Sequence, residues 1–161
     1  MINKFNLLFL TLFYIGKIKR APGTVASLVT CIFFLISINY LSLFTIFIFT
    51  LLVFLYSFVA INISYEIFNS KDPQEIVIDE FLGQMLPLLA FPIYEILYTT
   101  SKLTYCVLAF ILFRFFDIIK PFPISYIDNN TNGALGILLD DIVAGIFTII
   151  IMIIIFFFFG G

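Results

Sequence analysis

Charged residues are scarce in this sequence, and their scarcity indicates the solvent in which the chain folds. Only 11% of the 161 residues are charged, whereas 63% are hydrophobic. A soluble domain exposes so much surface that about a quarter of its residues are usually charged. The composition therefore predicts one membrane-embedded domain over residues 1–161.

Long basic stretches and paired cysteines are also missing. A net charge of −2 without a basic run excludes the positive surface that DNA or RNA binding requires, so no nucleic-acid partner is expected. Cys31 and Cys106 stand alone in apolar runs and predict core thiols, not a zinc site or a redox pair. Lys17, Lys19 and Arg20 follow the first apolar run where a signal cleavage site would stand, so we expect the N-terminus to be retained.

Uncharged stretches of about 20 residues, the length that crosses a bilayer, divide the chain. The spans expected are two within 25–65 with a turn at 37–42, then 81–99, 103–119 and 142–159. Pro87 and Pro92 predict a kink in the third span. Residues 5–15 are too few to cross and are expected to lie in the interface. The predicted fold class is all-α, a polytopic membrane bundle of about five apolar helices plus an N-terminal interfacial helix.

The basic residues predict an orientation, because Lys and Arg concentrate in loops that stay in the cytoplasm. With five spans and an inner N-terminus, every basic residue except Lys102 and every acidic residue except Glu95 falls on the inner side. Charges of both signs therefore converge on the cytoplasmic face.

Four polar clusters break the apolar background, where each polar residue is costly. The first runs from Lys19 to Ser27, and its Pro22 and Gly23 predict a turn. Thr24 or Ser27 can cap the following helix and leave N–H groups free to attract an anion. Taken alone, a capped helix start with basic anchors is the favoured interpretation of this cluster.

The second cluster places Asp79 and Glu80 where the third span begins. Carboxylates at interface depth bind hard cations such as Mg²⁺. Acidic residues are also favoured at any helix N-terminus. Both interpretations of this cluster stay open.

The third cluster contains Arg114, Asp117 and Lys120. Their spacing of three puts them on one helix face, with Lys120 about 9 Å from Arg114 along the axis, a length that matches the headgroup zone. An Arg–Asp pair that neutralises itself is the alternative. Since a simple anchor would not need a buried Arg114, we favour phosphate binding.

The fourth cluster places Asp140 and Asp141 at the head of the last span. Adjacent carboxylates repel each other unless a cation lies between them or they point apart. Neighbouring small residues would let helices approach closely and bring these acids toward Asp79. The small residues are Gly136, Ala144 and Gly145. A capped helix with tight packing is the alternative.

Histidine is absent from the sequence, which excludes phosphatases with a histidine nucleophile or acid–base. Neither cysteine begins a phosphate loop that ends in Arg, and no Asp-x-Asp pair offers an aspartyl nucleophile. Metal-assisted hydrolysis remains, in which Mg²⁺ polarises the phosphoryl oxygens and activates water while basic residues neutralise the developing charge.

In their order and joint presence, the four clusters resemble the phosphatidylglycerophosphatase A family. The resemblance covers nearly the whole chain and is carried by residues 21–24 with Ser27, 76–83, 113–121 and 136–145. It implies a compact helical bundle in the bacterial inner (cytoplasmic) membrane. It also implies Mg²⁺-dependent hydrolysis of a membrane phospholipid, phosphatidylglycerophosphate, to phosphatidylglycerol and phosphate. The sequence departs from the family pattern at Ala26, Asn132 and Ala134.

The clusters supply the candidate site residues. The metal-binding and water-activating set is Asp79, Glu80, Asp140 and Asp141, with Asp117 as an additional ligand. Phosphate binding is assigned to Arg114 and Lys120, and orientation of the phosphate to Thr24, Ser27 and Lys71.

Two other functions use similar residues. A small ion or solute carrier also needs intramembrane acids and an Arg, but it would place its polar residues near the midplane, where these spans are nearly free of charge. A CDP-alcohol phosphotransferase also uses acids and Mg²⁺, but its spaced Asp-Gly and Asp-x3-Asp pattern is missing.

Overall fold

The computed structural model describes residues 4–64, 75–98 and 101–159, and all regular structure within them is helical. The helices in chain order are α1 (Lys4–Leu10), α2 (Pro22–Tyr40), α3 (Leu43–Ser64), α4 (Ile78–Leu89), α5 (Phe91–Tyr98), α6 (Lys102–Ile119), α7 (Ile124–Asn130) and α8 (Gly133–Phe159). One 3-10 turn, Ile15–Lys17, lies between α1 and α2. The predicted all-α class is confirmed.

Three helical segments of the described chain are long and apolar enough to cross a membrane. They are Leu43–Ser64, Ile78–Leu97, which joins α4 to α5, and Gly133–Phe158. The apolar part of α2, Pro22–Ser37, is shorter, and α6 carries Lys102, Arg114 and Asp117. A membrane protein is therefore confirmed, and the number of about five spans stays a prediction.

The ends of α2 and α6 show how the bundle is arranged. Lys102 at the start of α6 donates a hydrogen bond to Asn39 near the end of α2, at 3.0 Å. At the other end, Arg114 of α6 donates to Ser27 of α2 at 3.4 Å. The two helices are therefore antiparallel, and the start of α2 meets the end of α6.

Glycine allows α4 and α8 to pack closely. A Cβ on Gly83 would lie 2.6 Å from the carbonyl oxygen of Asp141, and one on Gly145 would lie 2.5 Å from the carbonyl oxygen of Gly83. The predicted close approach at Gly145 is confirmed, and it brings Asp141 to α4. Gly136 also permits a close approach, but its neighbour is the carbonyl oxygen of Thr131 at the C-terminal end of α7 and not α4.

The helix α8 begins earlier than the sequence predicts. It starts at Gly133, whose φ of 71° is readily adopted only by glycine. Asp140 and Asp141 therefore lie two turns inside the helix, not at its head. Capping of the helix start cannot explain these two acids.

The start of α2 also differs from its prediction. Pro22 occupies the first turn, and Ala21 before it is left-handed with a φ of 49° and makes no side-chain cap. Proline suits this place because its missing N–H has no helical partner there. Thr24 lies inside the helix, and the Ser27 hydroxyl donates to the carbonyl oxygen of Gly23 at 3.0 Å. The predicted capping role of Thr24 or Ser27 is wrong.

The third predicted span is interrupted, as the prolines indicate. The helix α4 ends at Leu89 and α5 begins at Phe91. The Tyr105 hydroxyl of α6 donates to the Pro87 carbonyl oxygen at 2.6 Å. A neighbouring helix thus stabilises the interrupted segment.

The N-terminal helix α1 packs on α3. Leu10 is fully buried, and the hydroxyl of Tyr56 donates to Oδ1 of Asn6 at 2.7 Å. The short helix expected within residues 5–15 is therefore present, and its place in the membrane interface stays a prediction.

Replacing the glycine at the α4–α8 contact should destabilise the bundle. Gly145→Leu places a side chain against backbone that cannot move by a change of rotamer, and such overpacking costs about 1–3 kcal/mol or more. We expect a lower melting temperature for the detergent-solubilised protein. The matched control is Ile146→Leu at the next position, which is exposed and should melt like the wild type. Equal melting temperatures for the two variants would contradict the close packing of α4 against α8.

Candidate active site

A polar cleft of about 390 Å³ lies where α2 and α4 begin and α6 ends, beside the second turn of α8. Its charged lining residues are Lys19, Asp79, Glu80, Arg114, Asp117, Lys120, Asp140 and Asp141. Its remaining lining residues are Ala21, Pro22, Gly23, Thr24, Ile76 and Ile118. The cleft therefore brings together all four polar clusters of the sequence.

Three carboxylates form a compact group in this cleft. One carboxylate oxygen from each of Asp79, Glu80 and Asp141 lies within 4.8 Å of the other two. Asp79 and Asp141 are buried, and Oε2 of Glu80 is buried without a hydrogen-bond partner among the residues described. Like charges this close repel strongly away from water. A hard divalent cation with oxygen ligands, such as Mg²⁺, would relieve that repulsion, and the donor set fits one.

Glycine also lets Glu80 reach this group. A Cβ on Gly23 would collide with Oε1 of Glu80 and would lie 3.3 Å from Nη1 of Arg114. The missing side chain leaves room for both charged groups beside α2. Asp79 and Glu80 come from the first turn of α4, and the contact at Gly83 holds Asp141 of α8 against that helix.

Arg114 is held by an ion pair on its own helix. Its Nη1 lies 2.7 Å from Oδ2 of Asp117, and both side chains are largely buried. The same nitrogen donates to Oγ of Ser27, while the buried Nε has no partner in the described part of the chain. The Arg–Asp pair, which was the alternative interpretation of this cluster, is therefore present. Because Arg114 retains an unused donor, the pair does not exclude phosphate binding.

Lys120 bridges two carboxylates from different segments. Its ammonium donates to Oδ2 of Asp140 at 2.5 Å and to Oδ1 of Asp128 at 2.9 Å. Burial disfavours the charged form, but the hydrogen bonds to Asp140 and then Asp128 outweigh it and raise the pKa of Lys120 above its usual range. The two carboxylates therefore favour the charged form of Lys120. Contacts with the described residues use two of its three N–H groups, which leaves one for a ligand.

Some residues that the sequence analysis assigned to the site lie outside the three-carboxylate group or outside the lining of the cleft. Asp117 and Asp140 line the cleft, but each is paired with a cation and lies outside the compact three-carboxylate group. Thr24 lines the cleft, whereas Ser27 is fully buried behind it. Lys71 lies outside the described residues.

Two charged residues of this region are missing from the sequence assignment. Lys19 lines the cleft. Its position in the sequence just before Pro22 and Gly23 could have indicated this. Asp128 reaches Lys120 from α7. Their separation of eight residues matches no helical contact, so no periodic pattern could identify the pair.

Comparisons with known proteins give consistent matches. A family model described as Phosphatidylglycerophosphatase A matches residues 8–156. A Haemophilus influenzae protein named Phosphatidylglycerophosphatase A is 37% identical over 135 residues, which cover 84% of this chain and 78% of that protein. An Escherichia coli protein of the same name is 39% identical over 77 residues, 48% of this chain and 41% of that protein.

A further relative carries a different name. A Bacteroides thetaiotaomicron protein, whose name proposes a phosphatidylinositol-3-phosphatase, is 35% identical over 134 residues, which cover 81% of this chain and 80% of that protein. No solved structure gives a significant match.

Proposed function

This chain belongs to the phosphatidylglycerophosphatase A family, and from that membership we infer that it hydrolyses phosphatidylglycerophosphate to phosphatidylglycerol and inorganic phosphate. The structural observation that carries the proposal is the grouping of Asp79, Glu80 and Asp141 in a cleft that also holds Arg114 and Lys120. Carboxylates that suit a metal and cations that suit a phosphate are the groups that metal-assisted hydrolysis of a phosphomonoester needs.

Mg²⁺ is the cofactor in this proposal, and Asp79, Glu80 and Asp141 are its ligands. The bound ion would supply a Lewis acid for the phosphoryl oxygens and an activated water. The close approach of three acidic side chains with oxygen donors supports this choice. Asp117 and Asp140 are further candidate ligands, although each is now paired with a cation.

The chain's own residues account for the rest of the reaction. Hydrolysis forms a bond between the oxygen of water and phosphorus and breaks the bond between phosphorus and the headgroup oxygen. Arg114 and Lys120 would donate to the phosphate oxygens on which negative charge grows. The attacking water loses a proton, the headgroup oxygen gains one, and the buried Oε2 of Glu80 is the proposed proton acceptor.

The proposed location is the inner membrane, with the cleft facing the cytoplasm. Lys19, Arg114 and Lys120 all line the cleft, and basic residues concentrate on the cytoplasmic side of membrane proteins. A phospholipid in that leaflet presents its headgroup at the depth of the cleft while its acyl chains stay in the bilayer. The same position disfavours a solute carrier, whose binding site would lie near the midplane.

Purified protein should release phosphate from phosphatidylglycerophosphate when Mg²⁺ is present. Excess chelator should abolish the release and added Mg²⁺ should restore it, because in the proposed reaction the ion polarises the phosphate and activates the attacking water. Phosphatidylinositol 3-phosphate is the comparison lipid, and we expect it to be the poorer substrate. Full turnover in chelator would contradict the metal, and no release from either lipid would contradict the hydrolase.

Asp79 and Asp141 should act as one unit if they hold the same ion. Changing either one to Asn keeps its size and removes its charge, so each change should lower kcat by about 100-fold or more. The double variant should lose little beyond one single variant, because the first change already disables the site. Phosphate-release rates of the two single variants and the double variant measure this.

The matched control for that cycle is Glu95→Gln, which changes an exposed acid of α5 and should keep full activity. Losses that add on a logarithmic scale, or near-normal activity in either single variant, would mean that the two acids act separately.

The orientation can be measured with single cysteines in a background that carries Cys31→Ser and Cys106→Ser. Ser101→Cys should react with an impermeant thiol reagent added to intact cells, whereas Asn130→Cys should react only after lysis. Both positions are exposed, so the reaction depends on the side of the membrane. The reverse labelling pattern would place the cleft outside the cell.

A further inference from the structure

A second polar cavity adjoins the cleft on the far side of Asp140. It has a volume of about 210 Å³ and lies between α7 and the start of α8, where Asp128, Thr131 and Gly136 contribute to its lining. Asp140 lines both this cavity and the cleft. The wall between the two spaces is therefore partly formed by one carboxylate.

The two oxygens of Asp140 have different surroundings. Oδ2 accepts a hydrogen bond from Lys120. Oδ1 is buried and has no partner among the residues described, and the residue as a whole is only 7% exposed. Buried acceptors almost always find a donor, and an unsatisfied one costs free energy. A ligand that donates a hydrogen bond to Oδ1 would remove that cost.

The charges around the cavity indicate which chemical class of ligand could donate to Oδ1. The ammonium of Lys120 already lies 2.5 Å from Asp140 and 2.9 Å from Asp128, so a divalent cation in this cavity would have to displace it. An anion would face two carboxylates. A neutral hydroxyl group can donate to Oδ1 without adding charge, and it fits both constraints.

We propose that this second cavity binds the free hydroxyl of the substrate headgroup, which donates to Oδ1 of Asp140. The proposal rests on the proposed function. In phosphatidylglycerophosphate the carbon beside the phosphate-bearing carbon carries a hydroxyl, whereas in phosphatidic acid the equivalent oxygen is acylated. With the phosphate in the cleft, that hydroxyl lies beside the wall that Asp140 forms. The cavity thus selects lipids with a hydroxyl next to the phosphate monoester.

A substrate analogue tests the proposal on the unmodified protein. The analogue is phosphatidylglycerophosphate without the headgroup hydroxyl, which keeps both phosphates and both acyl chains. We expect kcat/KM to fall by about 10-fold to 100-fold on the analogue, the range for losing a hydrogen bond to a charged group. Equal kcat/KM values would overturn the proposal while leaving the hydrolase intact. Release from neither lipid would overturn the proposed function, and the proposal with it.

A variant pair locates the effect in the cavity. Thr131→Leu puts a larger apolar group into its lining and should lower kcat/KM on the natural lipid to the level of the analogue, with the analogue unaffected. Asn132→Leu changes the neighbouring exposed residue and should keep the preference. If Thr131→Leu lowered kcat/KM equally on both lipids, or kept the full preference for the natural lipid, the placement of the hydroxyl in this cavity would be overturned.

Discussion

The structure depends on the contact of two helices at which glycine replaces a side chain on each side. Gly83 and Gly145 bring the backbones of α4 and α8 so close that a Cβ on either would meet a carbonyl oxygen. This contact carries Asp141 from one end of the sequence to Asp79 and Glu80 near its middle. In a bilayer, where apolar side chains gain little from leaving lipid, such packing is a principal source of helix association. The same contact therefore organises the bundle and assembles the acidic site.

Charge balance explains how so many acids share one cleft. Asp117 is neutralised by Arg114, and Lys120 is shared by Asp140 and Asp128. The compact group that remains has an excess of negative charge in a partly buried place. Its composition would suit a cation and differs from that of the groups around it, each of which contains a basic side chain.

Part of this arrangement could be predicted from the sequence. Asp79 and Glu80 were identified because acids are costly where an apolar span begins, and Arg114 and Asp117 because their spacing of three places them on one helix face. The packing at Gly145 followed from side-chain size. The early start of α8 at Gly133 was not predicted, because the charged pair Asp140 and Asp141 interrupts the apolar sequence and the expected span therefore began after it. The bridge from Lys120 to Asp128 depends on the path of the turn into α7, which no sequence period encodes.

An ion bound among the three carboxylates would also lengthen the lifetime of the folded chain. Their mutual repulsion is present only when folding brings them within 4.8 Å of one another, so an ion that relieves it binds the folded state in preference to the unfolded one. By linkage, an ion at 100 times its dissociation constant adds about 2.7 kcal/mol to the free energy of unfolding. Ion supply in the cell would then set the amount of folded protein as well as its rate of turnover. Depletion of the ion would be followed by slow loss of the molecule itself.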